Sequence, residues 1–166
     1  MNLELPELAA DMVERARRAG AAAECTIREG SEFSVTVRLG EVETLKEAAS
    51  KGLGLRVLVG QRAAGCYTSD FSREGLDRAL NDALALARYT SEDPLHGLPE
   101  PEDLGQLSGD LGLYHDDAEA LPVEARMELA RRAERAALDC DPRIRNSEGA
   151  TFEAASSRKI LANSSG

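Results

Sequence analysis

A chain of 166 residues is long enough to bury a real core and is expected to do so as a single domain. With 42% apolar residues but only 4% aromatics and no Trp, that core must be packed from Ala, Leu and Val. The net charge of −10 argues against nucleic acid or an anionic membrane surface as a direct partner, because either needs a basic patch.

Leu5 to Ala19 reads as the first helix. Pro6 suits its first turn, Glu4 and Glu7 its positive end, Arg15, Arg17 and Arg18 its negative end, and Gly20 its close. A run of strands follows. Ala23, Cys25 and Ile27 alternate with polar residues, and after a turn at Glu29-Gly30 so do Phe33, Val35, Val37 and Leu39. Gly40 turns the chain, and Glu41 to Ala48 reads as a third, charged strand that suits a sheet edge or a face turned to water. Leu53, Leu55, Val57 and Val59 form a buried strand, Gly60-Gln61-Arg62 a turn, and Ala64, Cys66 and Thr68 the way back. Short turns leave no room for crossovers, so these strands, about five, are expected to be antiparallel.

Ser72 is a good N-cap for a second helix over Arg73 to Arg88, with Leu76, Leu80, Ala83 and Ala87 on its inner face. Tyr89 to Ala120 has no sustained period and is expected to be a long connection. Its recurring leucines (Leu95, Leu98, Leu104, Leu107, Leu111, Leu113) suit a strap held to the surface. From Tyr89 to Ala125 there are ten acids and no Lys or Arg, so this stretch carries the whole charge imbalance. A third helix is predicted over Val123 to Asp139, opened by Pro122 and ended by Asp141-Pro142. Beyond it, Ala150–Ala155 and Lys159–Ala162 read as short strands of a hairpin, with turns at Ser147–Gly149 and Ser156–Arg158. The chain stops on a turn signal at Asn163–Gly166, which is expected of one domain of a longer protein. The fold class is α+β: an antiparallel-rich mixed sheet with about three helices, mainly on one face.

No self-contained reactive centre emerges. His96 and His115 are isolated, and neither has the spacing of a helical metal motif. His115-Asp116-Asp117 could loosely hold a divalent ion, although a solvated loop histidine among acids is the plainer reading. Ser69, Ser72 and Ser91 lack a nucleophile-elbow context and a base. Gly52-Leu-Gly-Leu-Arg-Val57 is half a dinucleotide fingerprint that opens a strand instead of joining strand to helix. Cys25, Cys66 and Cys140 are scattered and odd in number, as expected of small buried hydrophobes in a reducing cytosol. No charged leader and no long apolar run is present, so a soluble cytoplasmic protein is expected. Catalytic, cofactor-binding and metal-binding residues: none is assigned.

Several phrases, taken in order, resemble the N-terminal domain of the TldD/PmbA family, the modulator of DNA gyrase proteins. They are Arg38-Leu-Gly-Glu-Val-Glu43, Gly52-Leu-Gly-Leu-Arg-Val57, Ala87-Arg-Tyr-Thr-Ser-Glu-Asp-Pro94, Leu113-Tyr-His-Asp116, Asn146-Ser-Glu-Gly149 and Ala162-Asn-Ser-Ser-Gly166. The Arg-Tyr-Thr-Ser and Asn-Ser-Glu-Gly segments are more similar to the PmbA branch. The resemblance implies a cytoplasmic, two-domain subunit that pairs with a TldD-like subunit, or with itself, in a metallopeptidase acting on unfolded peptides. It also implies that zinc belongs to an H-E-x-x-x-H motif of the TldD-type chain, which nothing here matches. This chain would then contribute scaffold, with Glu41 to Ala48 or the final hairpin as a free edge for an extended peptide. The alternatives are an acidic protein-binding module without proteolytic role, and a small-molecule enzyme using loop carboxylates.

Overall fold

A computed structural model describes residues 4–105, 109–115 and 117–165. Leu107 of the strap, Asp116 of the candidate ion site and the terminal Gly166 lie outside the described residues. In chain order the elements are α1 (Leu5–Arg18), β1 (Ala22–Arg38), β2 (Glu41–Val59), β3 (Arg62–Thr68) and α2 (Arg73–Ala87). A 3-10 turn (Pro101–Asp103), α3 (Asp117–Ala120), α4 (Val123–Asp139) and β4 (Ala150–Asn163) follow. The described strands form one sheet in the order β3-β2-β1-β4, and the fold is α+β as expected.

Three of the predicted boundaries are corrected. The turn at Glu29-Gly30 does not exist: β1 runs unbroken, and Ala23, Cys25, Ile27, Phe33, Val35 and Val37 are all buried. Those positions are all odd, so the period of two never slips, as one continuous strand requires. Gly30 is there for closeness: a Cβ on it would lie 2.9 Å from the Ser156 carbonyl oxygen. Likewise the charged strand and the buried one are a single β2, and the C-terminal hairpin is a single strand β4 in which Ser156-Ser157-Arg158 stays extended. Five strands before α2 thus become three.

The described chain clusters into two compact units, residues 1–29, 51–108 and 158–166, and residues 30–50 and 109–157. β1, β2 and β4 each give a segment to both. In the first unit, Leu8, Met12 and Ala16 of α1 and Leu76, Leu80 and Ala83 of α2 pack with Ala23, Cys25, Ile27, Leu53, Leu55 and Val57 of the sheet. Burying Leu53 and Leu55 contributes about 2 kcal/mol each. The Ser72 Oγ accepts from Gly75 N–H at 3.0 Å, capping α2, and Arg15 of α1 forms an ion pair with Asp77 of α2. The connection begins pinned to the β2–β3 turn. Asp93 N–H donates to the Gln61 carbonyl at 2.9 Å, while Arg62 donates to the Thr90 carbonyl and reaches Glu92 at 3.3 Å.

In the second unit α4 covers the odd face of β1, with the Arg126 guanidinium 4.6 Å over the Phe33 ring. Leu39 and Gly40, which join β1 to β2, have φ of +50° and +83°, the signature of a two-residue I′ turn. Glu134 of α4 is buried and grips that turn: Leu39 N–H donates to one carboxylate oxygen at 2.7 Å and Gly40 N–H to the other at 2.9 Å. The Gly40 N–H does most to hold the Glu134 carboxyl below its usual range. The Leu39 N–H, the Ser147 hydroxyl and the Arg38 charge add to this against the opposing effect of desolvation.

Two outcomes follow. A left-handed backbone costs a branched residue roughly 1–2 kcal/mol, so Leu39→Asn, which makes the turn Asn-Gly, is expected to raise stability by up to about 1 kcal/mol in urea unfolding. Glu134 titrates lower folded than unfolded, so its contribution is present above the unfolded value and is lost as pH falls through the folded one. Glu134→Gln is therefore expected to be less stable than the parent at pH 7. That gap should narrow as pH falls below the ordinary carboxylate range toward the lowered folded value; a gap that stays constant into acid would contradict the carboxylate's role.

Candidate functional site

The candidate site is a sheet edge. β3 is seven residues long, and its register with β2 runs from Val59 opposite Arg62 to Leu53 opposite Thr68. That pairing uses all of β3. Within the second unit, then, no described strand lies on the outer side of Glu41–Ser50, and no backbone hydrogen bond from a described loop reaches it. Every residue of this stretch is exposed except Val42, which is half-buried. Both faces are open to water, and one rim offers unpaired N–H and C=O groups.

Side chains alternate across the two faces. Glu41, Glu43, Leu45 and Glu47 share one; Val42, Thr44, Lys46 and Ala48 share the other. Arg38 of β1 lies 3.5 Å from Glu43 and donates to the Ser147 carbonyl at 3.1 Å. The Thr36 and Thr151 hydroxyls meet at 2.9 Å, so the same face continues through the even residues of β1 to the odd residues of β4. It carries Glu32, Glu41, Glu43, Glu47 and Glu153 beside Arg38, and Arg126 lines a cavity together with Glu32 and Glu47.

The other sequence candidates do not converge. His96 is half-exposed, with Nε2 3.7 Å from Asp93 and Nδ1 buried without a hydrogen-bond partner among the described residues. His115 is exposed on the wall of a cavity of about 470 Å³ in the second unit that Tyr114, Arg126, Glu32 and Glu47 also line. Its neighbour Asp116 falls outside the described residues, and Asp117 is exposed at the start of α3. Among the described residues no three His, Cys, Asp or Glu side chains form a group that could hold a metal ion. Ser72 is spent on the α2 cap, and Ser69 and Ser91 are exposed. Gly52–Val57 lies within β2, with no helix N-terminus behind it. The cysteines are free, and burial pushes the Cys25 thiol up to about 12, which leaves it unreactive. No described helix is long and apolar enough to cross a membrane.

Of the two edges named from sequence, Glu41 to Ala48 lies along the open rim, and the C-terminal edge is the single strand β4. Glu134 was missed. Its signal was an acid four residues after Ala130, on the one face of α4 that faces the sheet.

Comparison with known proteins gives the chain its family. The model of the PmbA/TldA metallopeptidase domain 1 matches residues 23–87, and that of the PmbA/TldA metallopeptidase central domain matches residues 116–166. The chain is 39% identical over 163 residues to the metalloprotease PmbA homolog of Haemophilus influenzae, and 38% identical over 162 residues to metalloprotease PmbA of Escherichia coli O157:H7. Each alignment takes in 98% of this chain and 36% of the relative, so the chain spans about a third of their length. Among solved structures, a putative modulator of DNA gyrase from Bacteroides thetaiotaomicron superposes with a TM-score of 0.86 at 24% identity, over 96% of this chain and 36% of that one. TldE from Thermococcus kodakarensis does so with 0.77 at 14% identity, over 95% and 35%; at these identities the likeness is one of fold. Two family models and PmbA relatives aligned over 98% of this chain leave one assignment: the chain belongs to the PmbA/TldD family of metallopeptidases.

Proposed function

We propose that this chain is the non-catalytic, N-terminal part of a PmbA-type subunit, and that its Glu41–Ser50 edge holds an unfolded peptide as an added strand. The full assembly is a cytoplasmic metallopeptidase, paired with a TldD-like subunit or with itself, in which the other part of the machinery cleaves the peptide. The observation that carries this reading is the open rim of β2, exposed on both faces beyond the end of β3. A backbone edge binds an extended polypeptide through main-chain hydrogen bonds, which suits a subunit that takes unfolded segments.

The donor set of the described residues does not fit zinc. His96 has only Asp93 beside it, at 3.7 Å, no group of three such side chains forms among the described residues, and no step of the proposal runs through a metal. Three free cysteines, one of them buried and unreactive, suit a reducing compartment.

Two measurements test the reading. Hydrogen exchange of the chain with an excess of an unstructured ten-residue peptide is expected to show new amide protection confined to Glu41–Ser50; protection elsewhere, or none, would remove the edge from the account. After washing with chelator, the chain is expected to hold far less than one zinc per molecule by atomic absorption. Stoichiometric retained zinc would sink the non-catalytic assignment.

A further inference from the structure

Resting on that edge reading, we propose that the strand added to Glu41–Ser50 is basic. It carries Lys or Arg at alternate positions facing Glu41, Glu43 and Glu47, and an apolar residue facing Leu45. Cross-strand neighbours on one face of a sheet touch directly, and unlike charges there are favourable. Glu43 already has Arg38 at 3.5 Å, but no ion pair among the described residues reaches Glu41 or Glu47, nor Glu32 and Glu153 behind them on the same face. The acidic residues stand along the open rim itself, so a strand added there must place every second side chain beside them.

A second copy of this edge does not meet the requirement. Residues directly opposite in an antiparallel pair share a face, so a strand pairs with itself only in registers that match odd with odd and even with even. The registers that join most of Glu41–Ser50 to itself set Glu41 on Glu47, Glu43 on Glu47, Lys46 on Lys46 or Glu47 on Glu47. Each puts like charges face to face, which is destabilising. An acidic segment fails for the same reason. The opposite face has one charge, Lys46, set among Val42, Thr44, Ala48 and Ser50, which are small or β-branched.

The test uses the 166-residue chain and two synthetic ten-residue peptides of alternating composition, one Lys-Val and the other Glu-Val, read by fluorescence anisotropy and hydrogen exchange. The Lys-Val peptide is expected to bind at least about 10-fold tighter than the Glu-Val peptide, from two or three cross-strand pairs of unlike charge. The preference should shrink as salt rises. The double substitution E41K/E47K is expected to reverse the preference, a gain of binding that a misfolded variant could not give. Equal affinities, with protection still confined to Glu41–Ser50, would overturn the charge inference and leave the edge reading standing. Binding of either peptide without protection there would overturn both.

Discussion

The turn at Leu39-Gly40 and its grip by Glu134 set the terms for everything around it. A strand alternates with a period of two, so a slip of one residue between β1 and β2 would exchange the faces of both. The two positive φ values fix a two-residue loop, and the buried carboxylate of Glu134 holds both of its N–H groups. Arg131 adds a hydrogen bond from its Nε to the Gly40 carbonyl at 3.1 Å. Helix α4 thus holds the hairpin at its tip as well as along its length. With the register fixed, Phe33, Val35 and Val37 face inward and the acids of β2 face water. A buried carboxylate is costly unless hydrogen-bonded, and here each oxygen meets a backbone donor that the turn would otherwise leave unpaired.

An exposed edge that is wet on both faces is a liability, since it can template pairing with any passing strand. Charge limits that liability in β2. Glu41, Glu43, Lys46 and Glu47 interrupt what would otherwise be a run of Val, Thr, Leu and Ala. The rest of β2 needs no such protection, because β3 covers its rim and the helices cover its face. One strand therefore has two characters, with the change at Ser50–Leu53, where the residues pass from exposed to buried. The sequence shows the same change as a switch from charged alternation to Leu53, Leu55 and Val57.

Local chemistry was legible and continuity was not. Ser72 was recognised as the cap of α2, the helix ends of α1 and α2 fall within one residue of their expected places, and the edge character of Glu41 to Ala48 was plain from its charges. Turn-forming residue types, in contrast, do not by themselves make a turn. Glu29-Gly30 and Ser156-Ser157-Arg158 look like turns, yet they lie within long strands, and Gly30 and Ser156 are close neighbours there. In β1 the buried positions stay odd on both sides of Gly30, which is compatible with one uninterrupted strand. The open rim could also have been counted, because a seven-residue strand after a tight turn covers only the last residues of its partner. Glu134 was harder, since its role depends on a backbone turn nearly a hundred residues earlier in the chain.

A sheet edge recognises what all polypeptides share, the N–H and C=O groups of an extended backbone, and so it discriminates poorly by itself. Discrimination must come from the faces beside the rim. In this chain they are unequal: one is acidic from β2 through β1 to β4, while the other presents small and β-branched residues around Lys46. On the proposed reading, main-chain pairing supplies the affinity and the acidic face supplies the choice. A segment held in this way is extended, with alternate residues pinned, the form in which a peptide bond is open to attack by a hydrolytic centre on another polypeptide. Such a chain needs rigidity at the rim more than reactive groups. The gripped turn, the paired Arg38 and the helix-covered face of β1 provide that rigidity.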